Sequence, residues 1–338
     1  MNKESIEEQI INQLMDNSLC FLEKAKIEVE GEEKYTYIYL WSAIELFLKA
    51  RVCCEHWTLV VKGEPNLEHL FSGNFNSKNF QNLCCVIKNV CQDNSVDCFI
   101  EQLDVIRKRR NKWLHFHYTP SKKKEILLID SLIIFYFIYS QTIGPWKEHF
   151  AAWSQKVKSL HDELHKTCHP YLDAILAHLQ PELERLQNKG YKIFQCSFCK
   201  IQALPVLEKE NTIYHAKCLV CQHVISGLNA PCISCNSTVY HVGDIANCQK
   251  CGYEVYAEEV LNCDVFEMEE EAPFCYCEHD DFLIKQDDEY LCINCFSGFT
   301  ERDIDECEYC GHKSVDLPRD GSYWLGCNGC DGCDISKD

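Results

Sequence analysis

The chain has 338 residues, of which 26 are cysteines, and its formal net charge is −19 at pH 7. This length is sufficient for two or three domains. Closely paired cysteines without an apolar leader segment are typical of metal binding in a reducing compartment, so we expect a cytoplasmic metal-binding protein and exclude a secreted disulfide scaffold.

Residues 1–190 are predicted to be helical. A capping-box pattern at Ser5 and Glu8 begins the first helix, and Gly31 ends it. A second helix follows from about Lys34 to Trp57, and sequence rich in Gly and Asn then predicts a loop to about residue 77. Three further helices are expected near 79–92, 95–116 and 125–143.

The most apolar stretch, Ile126–Gly144, is borderline in length for a membrane span. It contains Asp130, whose charge would be costly inside a bilayer, together with several uncharged polar residues. We therefore predict a core helix here and no membrane association.

Residues 146–190 are amphipathic and follow a helical bundle predicted over residues 1–145. Pro170 and Pro181 are expected to kink or break this stretch, and Asn188-Lys189-Gly190 is a helix-stop signal. The prediction is a helical linker, or stalk, that leads into the cysteine-rich half.

Residues 191–338 contain eight closely spaced cysteine pairs, seven of which have the spacing Cys-x-x-Cys. Taken two at a time in chain order, the pairs form four sets, called here set one to set four: Cys196, Cys199, Cys218 and Cys221; Cys232, Cys235, Cys248 and Cys251; Cys275, Cys277, Cys292 and Cys295; Cys307, Cys310, Cys327 and Cys330. A Cys-x-x-Cys turn, called here a knuckle, delivers two thiolates to one side of a tetrahedral Zn²⁺, and a second knuckle at the far end of a short strand pair supplies the other two. We predict an α+β multidomain chain whose residues 191–338 form four tandem zinc ribbons, over about 194–225, 230–258, 272–298 and 304–333.

Set three departs from this pattern because one residue, rather than two, separates Cys275 from Cys277. Its zinc could use these two thiolates, or Cys277 and His279, together with the later pair. Cys263 and Cys333 are left over as spare ligands or free thiols. Since each set is closed by four ligands and leaves no open coordination position, we expect structural zinc, four ions per chain, or three if set three is degenerate.

The negative charge is concentrated in the cysteine-rich half. Residues 1–190 contain 23 Lys+Arg and 25 Asp+Glu, giving −2, whereas residues 191–338 contain 10 Lys+Arg and 27 Asp+Glu, giving −17. This balance argues against binding of a phosphate backbone by the ribbons. It favours a basic protein partner, or the shielding of a basic surface on the N-terminal half.

The densest basic segment, residues 107–117, coincides with the end of the helix predicted near 95–116. Arg107, Asn111 and His115 are four residues apart and share one stripe of that helix, whereas Arg110 lies about 140° from His115 around the axis. Histidine transfers protons near neutral pH, and arginine stabilises a five-coordinate phosphate. The segment therefore indicates RNA backbone chemistry, with Arg110 either bending toward the histidine or meeting one from another chain. The alternative is a solvated basic helix face.

Two segments resemble the HEPN family (higher eukaryotes and prokaryotes nucleotide-binding): the helix at residues 42–51, Ser-Ala-Ile-Glu-Leu-Phe-Leu-Lys-Ala-Arg, and the string Arg-Asn-Lys-Trp-Leu-His at residues 110–115. The resemblance covers roughly residues 1–145. It implies a compact bundle of four to five helices, a homodimer with the motif at its interface, and metal-independent endonucleolytic cleavage of RNA. Ribonucleases of this family often serve as toxins or phage-defence effectors.

The resemblance also implies a role for each residue of the motif. His115 would be the general acid and base, Arg110 would stabilise the transition state, and Asn111 would position the reacting groups. The ribose 2′-hydroxyl would attack the adjacent phosphate and leave a cyclic phosphate. Glu45 and Lys49 resemble the polar pair on the second helix of the family.

Two other functions remain open at this point. The chain could be a non-catalytic dimeric adaptor that binds a protein partner through its ribbons. It could also be a nucleic-acid-binding regulator with the ribbons as readers, which the charge of −17 opposes. Apart from zinc, the sequence indicates no dedicated cofactor.

Overall fold

The computed structural model describes residues 6–29, 33–116, 124–207, 209, 212–241, 243–261, 273, 275, 277, 283–315, 322–327 and 330. The predictions made for Ser5, Gly31, Cys263, His279 and Cys333 fall outside these residues. The chain divides into two compact units, Met1–Leu179 and Gln180–Asp338, called here the helical unit and the ribbon unit. The predicted α+β class is confirmed, because an N-terminal helical region is followed by small antiparallel sheets that carry cysteine groups.

The helices of the N-terminal region follow the predicted order. They are α1 (Ile6–Glu28), α2 (Glu33–Cys53), α3 (Leu67–Ser72), α4 (Phe80–Asn89), α5 (Ile100–His115), α6 (Lys124–Ile143), α7 (Ser154–Thr167) and α8 (His169–Asn188), the last of which extends past the boundary between the units. Pro181 lies inside α8 without ending it, and the break in this stretch falls at Cys168, between α7 and α8.

Helix α3 lies within the segment that was predicted as a loop. The side chain of Asn66 accepts a hydrogen bond of 3.0 Å from the backbone N–H of His69, which caps the first turn of the helix. Gly73 ends the helix in the left-handed conformation, with φ of 76°. The Asn and Gly residues of this segment therefore cap a short helix, and the loop prediction was wrong over these six residues.

Aromatic side chains fill the centre of the helical unit. The ring centroid of Phe47, on α2, lies 5.8 Å from that of Phe137, on α6, and 5.0 Å from that of Trp146. Phe150 packs against the same ring at 5.4 Å. Helix α6 is buried at every residue from 131 to 142, as expected for a core helix. In the part of the chain that the structure describes, no helix combines the length and apolarity needed to cross a membrane.

The ribbon unit consists of short strands joined by cysteine knuckles. The strands are β1 (Tyr191–Gln195), β2 (Gln202–Leu207), β3 (Thr212–Lys217), β4 (Val224–Pro231), β5 (Thr238–His241), β6 (Ile245–Asn247), β7 (Glu254–Tyr256), β8 (Leu283–Gln286), β9 (Glu289–Cys292), β10 (Gly298–Thr300), β11 (Ile304–Glu306) and β12 (Lys313–Val315), with two short helices, α9 (Ala257–Leu261) and α10 (Ser322–Leu325). They form the antiparallel sheets β1–β2, β3–β4–β5, β6–β7, β8–β9–β10 and β11–β12.

The first two ribbons share a strand, and apolar clusters join ribbons that follow one another. Strand β4 pairs with β3 on one side and with β5 on the other, so one strand runs from the second knuckle of set one to the first knuckle of set two. One buried cluster joins Leu228 of β4, Val239 of β5 and Leu291 of β9. A second cluster joins Phe299 of β10 to Val315 of β12. The ribbons therefore pack against one another and do not form independent small domains.

Candidate functional site

Three buried residues set the rotation of α5. Leu103, Ile106 and Arg109 recur at every third position and face the interior of the helical unit. The opposite face carries exposed Lys108, Lys112 and His115. Because 3.6 residues make one turn, this rotation places Arg110 and Asn111 at the edge between the buried and exposed faces, where both are half-buried.

Arg109 is the arginine that packs inside the helical unit, although it was not among the predicted site residues. It is only 7% exposed, and its guanidinium donates a hydrogen bond of 3.0 Å to the hydroxyl of Tyr37 on α2. It also forms an ion pair with Asp130 on α6 and lies 5.3 Å from the centroid of the Tyr37 ring. Arg109 follows Ile106 by three residues, as Ile106 follows Leu103, and this spacing was the sequence signal that could have predicted its burial. Arg109 therefore ties α5 to α2 and α6.

Arg110 and Asn111 are in direct contact. Nη1 of Arg110 donates a hydrogen bond of 3.0 Å to Oδ1 of Asn111. His115, the last residue of α5, is exposed and lies one turn beyond Asn111, about 6 Å along the helix axis. The contact thus draws the guanidinium toward the stripe that ends at His115. Among the described residues, no hydrogen bond or ion pair joins His115 to Arg110 or Asn111.

Exposed apolar side chains lie beside His115. Leu114 is 45% exposed and Phe116 is 76% exposed. Ile129, near the start of α6, is also among the exposed large apolar residues. Leu114 and Phe116 thus place exposed apolar surface on both sides of the histidine in the sequence.

The polar pair of α2 is an ion pair along one helix face. Nζ of Lys49 lies 2.7 Å from Oε1 of Glu45, one turn earlier, and both side chains are partly buried. This geometry fits a role at the edge of the core. The described contacts give it no link to the residues of the α5 motif.

The sixteen predicted cysteine ligands lie in four groups of four. In each group, the sulfur atoms all lie within 4.8 Å of one another, and each group could hold a metal ion. The closest sulfur pairs within the groups are 3.4–3.8 Å apart, too far for disulfide bonds, and include Cys196–Cys221, Cys199–Cys218, Cys232–Cys251, Cys235–Cys248, Cys275–Cys295, Cys277–Cys292, Cys307–Cys330 and Cys310–Cys327.

The position of the knuckles relative to the strands differs from the prediction. Each Cys-x-x-Cys turn of sets one and two is itself the turn between two strands, as in β1–β2 and β3–β4 for set one. The four sulfurs of set one therefore meet from two adjacent hairpins, and not from the two ends of one strand pair. This correction follows from strand order, because β2 and β3, which lie between the two knuckles of set one, belong to different sheets.

Six knuckles share one backbone geometry. The N–H of the first cysteine donates to the carbonyl five residues later, and the N–H of the residue after the second cysteine donates back to the first, at 2.7–3.0 Å throughout. The residue after the second cysteine has a positive φ in every case: Lys200, Gln222, Asn236, Gly252, Phe296 and Gly311. Glycine is the natural residue at this position, but only two of the six knuckles have it.

Set three gathers the two closely spaced cysteines into one group. Cys275 and Cys277 both lie with Cys292 and Cys295, so the four thiols are sufficient for a complete ligand set. Nδ2 of Asn294 donates to the sulfur of Cys277 at 3.5 Å. The described residues thus supply four ligands without a histidine.

Ser237 is a polar neighbour of set two that was not among the predicted site residues. Its hydroxyl lies 3.0 Å from the sulfur of Cys235 and 3.2 Å from that of Cys248. Hydrogen bonding from Ser237 lowers the pKa of Cys248 to about 5. Since thiolates are the metal-binding form, this contact favours the state that a cation requires.

The cysteines of the helical unit differ from these groups. Burial raises the pKa of Cys53 to about 12, and that of Cys54 and of Cys84 to about 11. They stay protonated at neutral pH and fill space as small apolar groups. Among the described residues, the candidate metal ligands therefore lie in the ribbon unit, and the motif of α5 lies in the helical unit.

No protein-family model, no curated protein and no solved structure matches this chain.

Proposed function

We propose that the helical unit is a HEPN-type domain that cleaves RNA without a catalytic metal, and that the ribbon unit is an arm for regulation or recruitment. The single observation that carries this proposal is the contact of Arg110 with Asn111 one turn before an exposed His115. A guanidinium, an amide and an accessible imidazole within the last six residues of one helix are groups that phosphodiester cleavage needs.

The proposed chemistry uses the ribose as its own nucleophile. The 2′-oxygen attacks the adjacent phosphorus, the bond from phosphorus to the 5′-oxygen breaks, and a 2′,3′-cyclic phosphate and a 5′-hydroxyl result. His115 accepts the 2′-hydroxyl proton as general base, and the imidazolium so formed delivers a proton to the leaving 5′-oxygen as general acid. Arg110 stabilises the additional negative charge on the phosphate oxygens, and Asn111 holds the guanidinium in place through the 3.0 Å hydrogen bond.

A homodimer would complete this site. Arg110 and His115 are five residues apart on α5 and point in directions about 140° apart. A second protomer, packed on exposed Leu114 and Phe116, would bring a second copy of each group close to the first. The exposed apolar side chains beside His115 favour this arrangement over a monomeric site.

The metal of the ribbon unit is proposed to be Zn²⁺. A tetrahedron with Zn–S bonds of about 2.3 Å has edges of about 3.8 Å. The closest sulfur pairs of the four sets, at 3.4–3.8 Å, fit these edges. With four thiolates each and no open position, the sets would hold the strands together and take no part in the reaction.

The decisive experiment is RNA cleavage by the full chain in EDTA, with the zinc content measured afterwards by mass. Wild type is expected to release fragments with 2′,3′-cyclic phosphate ends, and to leave a DNA oligonucleotide of the same sequence intact. His115→Ala and Arg110→Ala are expected to abolish cleavage. His69→Ala, at another exposed histidine, on α3, is the matched control and retains it. Cleavage that persists in the His115 variant would refute the assignment.

The biological role follows from the same proposal. Ribonucleases of the family that the chain resembles often serve as toxins or phage-defence effectors, so expression of wild type is expected to arrest growth and expression of His115→Ala is not. If neither protein cleaves RNA and both dimerise, the chain is the non-catalytic adaptor.

A further inference from the structure

One groove of the ribbon unit differs in charge from its surroundings. It has a volume of about 760 Å³, within the usual range for ligand sites, and follows β1 and the first knuckle of set one. The residues that line it include Lys192, Lys200, Tyr191 and Phe194, and no Asp or Glu is among the lining residues that the structure describes.

The acidic charge of the ribbon half lies elsewhere. Residues 191–243 contain four Lys+Arg and two Asp+Glu, giving +2, whereas residues 244–338 contain six Lys+Arg and 25 Asp+Glu, giving −19. A Zn(Cys)₄ centre of charge −2 in set one would leave the first segment near neutral. Net charge therefore opposes phosphate binding by the later ribbons and not by this groove.

One lysine and one aromatic ring of the groove are held by contacts with Tyr240. Nζ of Lys192 lies 4.8 Å from the ring centroid of Tyr240, and the Phe194 ring packs on the same tyrosine at 4.9 Å. Lys200 is exposed and has a φ of 62° at a knuckle position where glycine would be unstrained. Gln222, Asn236 and Phe296 occupy the same position in other knuckles, so this φ fixes where the Lys200 side chain leaves the turn without distinguishing it from them.

Amide side chains supply the remaining polar groups. Nε2 of Gln195 donates to the carbonyl of Lys200 at 2.8 Å, and Nε2 of Gln202 donates to the carbonyl of Ile193 at 3.3 Å. Gln187 and Gln249 line the groove from α8 and from the second knuckle of set two. Glutamine amides offer both donors and acceptors, which suits the edges of nucleobases.

We propose that this groove binds one or two nucleotides of single-stranded RNA, and this inference rests on the proposed ribonuclease function. Lys192 and Lys200 would contact phosphates, Tyr191 would stack on a base, and the glutamines would contact base edges. A second RNA contact on the same chain raises the affinity for substrate through effective concentration, without any change in the chemical step.

The test measures binding of a fluorescent single-stranded RNA of about 12 nucleotides, within the site sizes of such proteins, to the zinc-loaded full chain carrying His115→Ala. Two lysine contacts predict that Lys192→Gln with Lys200→Gln weakens binding about tenfold or more, and that the slope of log K against log salt becomes shallower by about 1.4. Lys209→Gln with Lys313→Gln, two exposed lysines of the same unit outside the groove, is the matched control and is expected to bind as the parent does. Zinc content verifies the fold of both pairs.

Cleavage assays separate the failure of this inference from failure of the proposed function. With His115 restored, the groove pair should raise KM and leave kcat unchanged. If wild type cleaves RNA but the groove pair matches it in KM, affinity and salt slope, the groove is not an RNA site and the inference is overturned. If wild type cleaves no RNA while the groove pair still binds RNA more weakly than its control, the groove assignment stands and the ribonuclease assignment fails. Binding of a peptide in place of RNA would also overturn the inference.

Discussion

Two adjacent arginines on α5 should have different roles, Arg109 in stability and Arg110 in RNA cleavage. Arg109 is buried and paired with Asp130, whereas Arg110 is half-buried and has Asn111 as its only hydrogen-bond or ion-pair partner among the described residues. Asp130→Asn preserves the shape of the side chain but removes its charge, so it leaves the Arg109 guanidinium without a counter-ion. We expect this variant to unfold more readily and to retain RNA cleavage at low temperature, and Arg110→Met to fold normally and lose cleavage.

The magnitude follows from the exposure of the two partners. Removing one partner of a fully buried ion pair costs about 3–5 kcal/mol. The Arg109 side chain is 9% exposed and that of Asp130 is 28% exposed, so water partly replaces the lost carboxylate. We therefore expect a loss of about 2–3 kcal/mol for Asp130→Asn, against about 0.5 kcal/mol or less for Arg110→Met. For a unit of 179 residues, the larger loss lowers Tm by about 4–12 °C.

Circular dichroism at the helical wavelength, recorded during heating of the full chain, measures both variants because the helices lie mainly in the helical unit. RNA cleavage, assayed well below Tm, shows whether each folded variant is still active. If Asp130→Asn melts within about 1 °C of wild type, or if Arg110→Met melts as early as Asp130→Asn, then the contrast between the two arginines is wrong.

Four further predictions concern other parts of the molecule. Gly252→Ala, at φ of 74°, should destabilise the ribbon unit by about 1 kcal/mol and speed zinc transfer to a chelator, whereas Gly243→Ala, also in open space but without a positive φ, should not. Gly298→Ala should be more damaging, because its Cβ would lie 2.4 Å from side-chain atoms of β3 and β4; urea unfolding should give a loss of about 1–3 kcal/mol. Burial alone raises the pKa of Asp93, but hydrogen bonds from a backbone N–H and from the Trp146 indole outweigh it and hold the pKa below its usual value. Asp93 therefore stabilises the fold above about pH 4, so Asp93→Asn should lower Tm at pH 7 and the difference from wild type should shrink as the pH falls through the lowered pKa. Removal of metal with a strong chelator should release about four zinc ions per chain and abolish the strand signal while the helical signal persists, since all four sets lie in the ribbon unit.

Local signals made most of the helices and the cysteine groups predictable. Cysteine spacing alone grouped the sixteen thiols correctly, because a two-residue turn fixes the relative positions of two sulfurs. Apolar periodicity likewise located α5 and α6. The residues that cap α3 were interpreted as loop residues, because Asn and Gly are common both in loops and at helix ends. Their sequence alone does not show whether the residues between them form a helix.

Features that depend on packing between elements were not predictable in this way. The sequence offers Arg109 and Arg110 as equivalent basic residues, and only the rotation of α5 against α2 and α6 buries the first. The pairing of β4 with strands from two ribbons was also missed, because cysteine spacing carries no information about which strands pair. The left-handed Phe296 is a third example: its side chain packs on the shared core, and this burial outweighs the backbone preference for glycine.

Strand β4 has a cysteine knuckle at each end, because Cys221 precedes it and Cys232 follows it. When either knuckle binds a metal ion and becomes ordered, it also fixes the backbone of β4, on which the other knuckle depends. The first ion carries most of the conformational entropy cost, and the second binds to a scaffold that is already formed. Sets one and two should consequently fill as a cooperative pair, so that partial metal starvation yields a mixture of fully loaded and fully empty pairs.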